Sequence, residues 1–169
     1  MTDAAAPLPY RIAVLCYLFD AEGRLLLLHR RKAPNRDLYS PIGGKLEMGT
    51  GESPVACAVR EIEEEAGLTL DESDLHLTGI VSEQAFEGAG HWLMFLYDCR
   101  VPVAVAPERM EFDEGRLEWH TREALEALPL PETDRRFIFP LFWANRGGFF
   151  SAHIDCRGQH LDCRVAKSV

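Results

Sequence analysis

A chain of 169 residues, 47% apolar and 27% charged, has the composition of a globular domain and is long enough to bury a core of its own. Its 27 acidic and 18 basic residues give a formal charge of −9, which argues against avid nonspecific binding to nucleic acid and predicts no stable complex with it. No apolar run approaches the roughly 20 residues of a membrane span, and the five cysteines, an odd number without a CxxC pair, read as free thiols of a reducing cytoplasm.

Residues 1–9, "MTDAAAPLP", lack the positive start and apolar core of a signal peptide and are expected to form a flexible lead-in, with residues 10–169 as a single domain. "YRIAVLCYLF" (10–19) and "RLLLLHR" (24–30) flank a short Gly-containing turn and predict a β-hairpin. "RKAPNRD" is a loop, and "LYSPIGGKLE" is short and extended, with the Gly43–Gly44 pair as a turn. Ser53 and Pro54 open a helix and Gly67 closes it. Residues 75–86 and 91–101 read as two further strands, and "GRLEWH" (115–120) as a brief one. A helix over 121–128, capped by Thr121, precedes "DRRFIFPLFWAN", a last helix in which Pro140 demands a kink or a late start. "GGFFSAHIDC" and "LDCRVA" suggest a closing hairpin about Arg157–Gly158. Strands before and after helices favour an α+β fold or a mixed-sheet sandwich.

Six glutamates fall within residues 43–68. At about 100° per residue, Val55, Val59, Ile62 and Ala66 form an apolar stripe on the helix. Glu61, Glu64 and Glu65 share a neighbouring face, and Glu63 points away. Like charges at such spacings cost a few tenths of a kcal/mol per pair, so helix propensity alone does not explain three of them on one face. Arg60 offsets part of the repulsion. The alternatives are the solvated face of a surface helix or a site for a hard divalent cation, which takes carboxylate and carbonyl oxygens and keeps several waters.

"REIEEEAGL" (60–68), with Glu52 upstream and Gly44 as the leading glycine, resembles the box of the Nudix hydrolase family at every fixed helical position. The family pattern has five residues between that glycine and the glutamate; here there are seven, with Thr50 and Gly51 as the insertion. The resemblance implies an α/β/α sandwich around a mixed sheet, and Mg²⁺-dependent hydrolysis, with Mn²⁺ as a substitute, of a nucleoside diphosphate linked to another group. It implies Glu61, Glu64 and Glu65 as metal ligands, with a carbonyl of Gly43 or Gly44, and Arg60 and Glu52 as the pair that orients them. Glu114 is the candidate for a distant general base, with Glu111, Asp113, Glu83 and Glu87 as alternatives.

Beyond the box, Trp119, "LPLPETDRRFIFPLF" and "GGFFSAHIDCRGQHL" resemble the subgroup that destroys oxidised purine nucleoside triphosphates such as 8-oxo-dGTP. That likeness implies Asp134, with Glu132 beside it, as a purine contact, and places Ser40 where the subgroup often carries asparagine. Arg30 in "HRRK" (29–32), with Arg36 and Lys45, either holds the triphosphate or is a solvated strand end. His91 and Trp92 are either pocket or core residues, and Cys57 is a packing residue. Alternative readings within the family are an RNA 5′-end pyrophosphohydrolase and a dinucleotide or ADP-sugar pyrophosphohydrolase; one of another class is a non-catalytic nucleotide-binding regulator. The expected partner is a small nucleotide, with no membrane association and with an oligomer left open.

Overall fold

In the computed structural model, which describes residues 6–104, 107 and 110–169, β1 (Tyr10–Tyr17) runs through the middle of a nine-stranded sheet. Its sequence is apolar almost throughout because both of its faces are covered: Ala13 and Tyr17 join one buried cluster, Val14 and Cys16 another. The other strands are β2 (Leu25–Arg30), β3 (Tyr39–Lys45), β4 (Leu75–Phe86), β5 (Gly90–Cys99), β6 (Glu111–Phe112), β7 (Gly115–His120), β8 (Phe150–Asp155) and β9 (Asp162–Ser168). Their spatial order is β6-β7-β2-β3-β1-β5-β4-β8-β9. The sheet is mixed, with β1 parallel to β5 and β4 parallel to β8. α1 (Pro54–Ala66) packs on one face through Cys57, Ala58, Ile62 and Ala66, and α2 (Phe139–Ala144) on the other through Phe139 and Phe142. This is the expected α+β sandwich.

The expected hairpin of residues 10–19 and 24–30 is present only at its turn, where Phe19 bridges Leu25 antiparallel and Leu26 N donates to the Leu18 carbonyl at 2.9 Å; beyond it the pairing changes. β3 lies between the two strands, pairing with β2 through Tyr39–Pro41 and with β1 from Ile42 to Lys45. Gly43 and Gly44 are therefore extended strand residues and not a turn. Their lack of a side chain serves close approach: a methyl group at Gly43 would collide with the Val14 carbonyl, and one at Gly44 with the Glu61 carboxylate. β3 thus passes from β2 to β1 along its length, and the hairpin that local sequence favours opens to admit it.

The helix expected over 121–128 is a short 3₁₀ segment, Glu123–Ala127, although the Thr121 hydroxyl does accept from the Ala124 N–H at 3.3 Å. Pro140 is accommodated by a distortion and not by a late start: helical backbone runs unbroken from residue 132 to 144, and a wider π-helical turn, Asp134–Ile138, stands just before the proline in the first turn of α2. The closing hairpin is present as β8 and β9. Of the expected lead-in, residues 1–5 lie outside the described residues, and at its end the Pro9 carbonyl accepts from His91 N at 2.8 Å, tying the chain to β5. All five cysteines are free thiols. No described helix is long and apolar enough to cross a membrane.

Candidate active site

α1 begins where the sequence places it. The Ser53 hydroxyl accepts from Ala56 N at 3.2 Å, Pro54 occupies the first turn, and Gly67 closes the helix in the left-handed conformation (φ 67°). The buried face is broader than the apolar stripe, however, because Cys57, Ala58 and Glu65 are buried with Ile62 and Ala66. The Cys57 thiol packs beneath the site, 3.9 Å from the Gly44 carbonyl, and burial pushes it up to about 12.

Arg60 organises the acidic face. Its guanidinium grips Glu52 in a two-pronged bond (Nε to Oε1 2.7 Å, Nη2 to Oε2 3.0 Å) and also donates to Glu61 Oε1 at 2.8 Å, Glu64 Oε2 at 3.2 Å and the Lys45 carbonyl at 3.3 Å. Such planar, forked pairing is what arginine does and lysine cannot. It holds the Glu52 carboxyl down at about 2. The two inserted residues do not displace Glu52: Met48–Thr50 forms a 3₁₀ turn that absorbs them, and Glu47 N donates to Glu52 Oε2 at 2.9 Å.

One guanidinium cannot neutralise Glu52, Glu61, Glu64 and Glu65 together. Glu65 is 6% exposed and accepts from Gly43 N at 3.2 Å, yet burial and the neighbouring Glu61 charge push its carboxyl up to about 8. Glu61 is raised by burial too, against the pull of Arg60, and the charges of Glu64 and Glu114 add to the shift. Clustered carboxylates held above their ordinary range mark a site short of positive charge. Among the described residues no three acidic, imidazole or thiol groups are already drawn together at coordinating distances, since Glu61 and Glu64 are turned onto Arg60. The donor chemistry nevertheless fits a hard divalent cation: all oxygen, several carboxylates, and a side-chain-free strand residue, Gly44, directly against Glu61.

The acidic face opens into a cavity of about 470 Å³. Its lining includes Gly43, Gly44, Glu61, Lys45, Arg30 and Glu114. Arg30 is fixed by its Nε donating to the Pro34 carbonyl at 2.9 Å. Glu114 sits in the β6–β7 turn, its carbonyl accepting from Arg31 N at 2.8 Å. Ser40, Glu83, Phe86, Trp92, Met94 and Asp134 line the same cavity. Asp134 is 9% exposed, and burial followed by the Glu83 charge pushes it up to about 8.

Most residues singled out from sequence therefore share one cleft: Gly43, Gly44, Lys45, Glu61, Arg30, Ser40, Glu114 and Asp134 line it, and Glu52, Arg60, Glu64 and Glu65 stand behind or beside its acidic wall. Glu132 does not line it; its carboxylate pairs with Arg136 at 2.9 Å on the surface. Arg36 is exposed, with Asp37 3.8 Å away, and Arg31 pairs with Glu111. Of the two residues left open as pocket or core, Trp92 lines the cavity, while His91 accepts from Ala85 N at 3.0 Å through Nδ1. Glu83 is the member that sequence reading undervalued. The signal was there: β4 alternates, and a glutamate falls on the same face as the buried Val81.

The NUDIX domain profile matches residues 9–141. The NAD-capped RNA hydrolase NudC of Stutzerimonas stutzeri (strain A1501) is 27% identical over 138 residues, which cover 82% of this chain and 47% of NudC. The chain thus spans about half the length of that curated relative. Among solved structures, the mutator MutT protein of Bacillus halodurans has a TM-score of 0.72 at 23% identity, covering 92% of this chain and 97% of its own. The MutT NUDIX hydrolase of Burkholderia pseudomallei has 0.61 at 26% identity, covering 81% and 98%. With the profile spanning more than half of the sequence and the glutamate helix facing Gly43–Gly44 beneath it, the chain belongs to the Nudix family, which in general hydrolyses nucleoside diphosphate-linked compounds with the help of divalent metals.

Proposed function

We propose that this chain is a pyrophosphohydrolase that converts a purine nucleoside triphosphate, oxidised purines included, to the monophosphate and pyrophosphate, with residues 10–169 acting as one unit. The observation that carries the reading is the shared cavity: Gly44, Glu61 and Asp134, with the apolar Trp92, Phe86 and Met94, line one volume of nucleotide size. Arg30 and Lys45 hold the phosphate chain by charge. Glu61, Glu64, Glu65 and a Gly43 or Gly44 carbonyl would hold Mg²⁺, with Arg60 and Glu52 fixing their orientation. A cation bound there neutralises phosphate charge and lowers the pKa of a bound water. Glu114, facing the same space, takes the proton from the attacking water as the bond between the α- and β-phosphates breaks.

Hydrolysis in ¹⁸O-water tests the cleavage. The label is expected in the monophosphate for attack at the α-phosphorus, or in pyrophosphate for attack at the β-phosphorus. Orthophosphate and a diphosphate as sole products would overturn the proposal. The likeness to NudC favours a second reading, hydrolysis of the diphosphate of an NAD cap, although a charge of −9 suits a long RNA poorly. NAD-capped RNA run beside nucleoside triphosphates separates the two.

Asp134, the first residue of the π-helical turn, lines the cavity. Asp134→Asn is expected to lower kcat/KM for purine triphosphates and much less for pyrimidine ones, because a mispaired buried group costs selectivity as well as affinity. An equal effect on both base classes, read by steady-state kinetics, would remove Asp134 from base recognition.

A further inference from the structure

α1 covers only part of the sheet face on which it lies. One flank of the helix turns towards β3, where Glu61 abuts Gly44 and Glu65 accepts from Gly43 N. The same face continues beyond β1, and its members follow from the register, because direct cross-strand partners point to one side. Ile12 of β1 pairs with Leu93 of β5, Leu93 with Ser82 of β4, Ser82 with His153 of β8, and His153 with Arg164 of β9. Tyr10 and Ile80 stand two residues before Ile12 and Ser82 and share that side. Val14, two residues after Ile12, belongs to the cluster beneath α1, which identifies the face as the α1 side.

The middle of this face is open and apolar. Tyr10 is 61% exposed, and Ile12, Leu93 and Ile80 are half-buried. Among the described residues, none of the four belongs to either buried cluster. A contiguous apolar patch rimmed by charge marks a contact surface. Its two borders carry opposite charge. On one side stands the far flank of α1: Val55 and Val59 pack against the cluster under the helix, and Glu63, about 200° round the axis from Glu61, is exposed. Asp71 and Glu72, also exposed, follow in the segment after α1. On the other side the edge strand β9 presents exposed Arg164 and Lys167, partners of His153 and Ser151. The acids of that hairpin, Asp155 and Asp162, lie at its turn end, where Asp155 is paired with Arg157 at 2.7 Å.

We infer that this face docks a second copy of the chain, sheet against sheet, about a two-fold axis near Leu93 and Ile80. The borders select the occupant. An isologous contact sets one patch against its own twin, so what one border offers the opposite border must accept. A two-fold that lays β5 over the second copy's β4 also lays β1 over its β8 and brings its β9 beside α1. Stacked sheets lie about 10 Å apart, close to the diameter of a helix, so that edge strand comes level with α1. Arg164 and Lys167 of each copy then meet Glu63 of the other, twice by symmetry, around an apolar centre supplied by both. A partner of one charge sign would match one border and oppose the other. The contact also shields β9, whose outer backbone groups otherwise remain an open sheet edge. Glu61 and Glu65 look towards β3, so the acidic wall of the cavity stays outside the interface.

Sedimentation equilibrium of the chain without substrate or metal tests this, and its outcome is independent of any cleavage reaction. Wild type is expected at the mass of two chains at tens of micromolar. Leu93→Lys, which sets a charge at the centre of the patch, is expected to raise the dissociation constant by about 100-fold or more. Should that variant fail to fold by circular dichroism, the exposed borders carry the same test. Glu63→Lys and Arg164→Glu are each expected to weaken the dimer about tenfold, because each sets like charges together twice. An equimolar mixture of these two variants places the reversed charges opposite one another and keeps one native pair. It is therefore expected to associate within about threefold of wild type. A monomeric wild type, a dimer indifferent to Leu93→Lys, or a mixture that associates no more tightly than its components would overturn the inference.

Discussion

Glu65→Gln and Glu64→Gln are each expected to lower turnover by roughly 10²–10⁴-fold in the presence of Mg²⁺, because each removes a ligand charge worth several kcal/mol in the transition state without changing side-chain shape. Glu63→Gln, at an exposed position off that face, should change the rate by less than about twofold. Metal-free melting separates the first two variants. Glu65 is buried and its folded carboxyl is raised to about 8, so its contribution to stability is fully present below about pH 4.5 and is lost as pH rises towards 8. Glu65→Gln should therefore melt at or above wild type at pH 8, whereas Glu64→Gln, whose side chain is 58% exposed, should melt close to it. Steady-state rates with melting curves measure both effects. Equal losses in all three variants, or in none, would show that the glutamate face of α1 is not the reacting face.

Arg60→Ala should destabilise the protein by roughly 2–4 kcal/mol, somewhat less than the loss of one partner in a fully buried pair because a quarter of the arginine side chain meets solvent. The change strands Glu52 in a site where it is 10% exposed and leaves Glu61 and Glu64 uncompensated, so added Mg²⁺ should restore part of the loss. The pair has a pH signature of the opposite sign to Glu65. Glu52 is depressed to about 2, so its stabilisation is present above about pH 4.5 and disappears as pH falls towards 2. Urea unfolding at pH 7 and pH 3 should therefore show Glu52→Gln less stable than wild type at neutrality and by a clearly smaller margin in acid. A difference between the two proteins that is the same at both pH values would remove the Arg60–Glu52 bond from the stability of the site.

Several features were legible without coordinates because they are local. The Ser53–Pro54 start, the Gly67 stop and the 100° spacing of Glu61, Glu64 and Glu65 depend only on backbone geometry within a few residues, and α1 follows them. The alternation along β4 and the continuous apolar run of β1 likewise signalled one-sided and two-sided burial. Even the inserted Thr50 and Gly51 did their work locally, closing a 3₁₀ turn that returned Glu52 to Arg60.

What the sequence by itself determined is thus the mixed fold, the glutamate helix and the chemistry of its face. The tertiary structure alone decided the partners. It placed β3 between β1 and β2, because strand order reflects the burial gained over the whole sheet and not the turn between two neighbours. It brought Ser40, Glu83 and Asp134, separated by up to 94 positions in sequence, into one cavity, and sent Glu132 to the surface beside Arg136. A side chain's spacing along one helix or strand says which face it takes, but only the packing of the sheet against α2 says what that face meets, and whether a carboxyl there is solvated, paired or left waiting for a ligand.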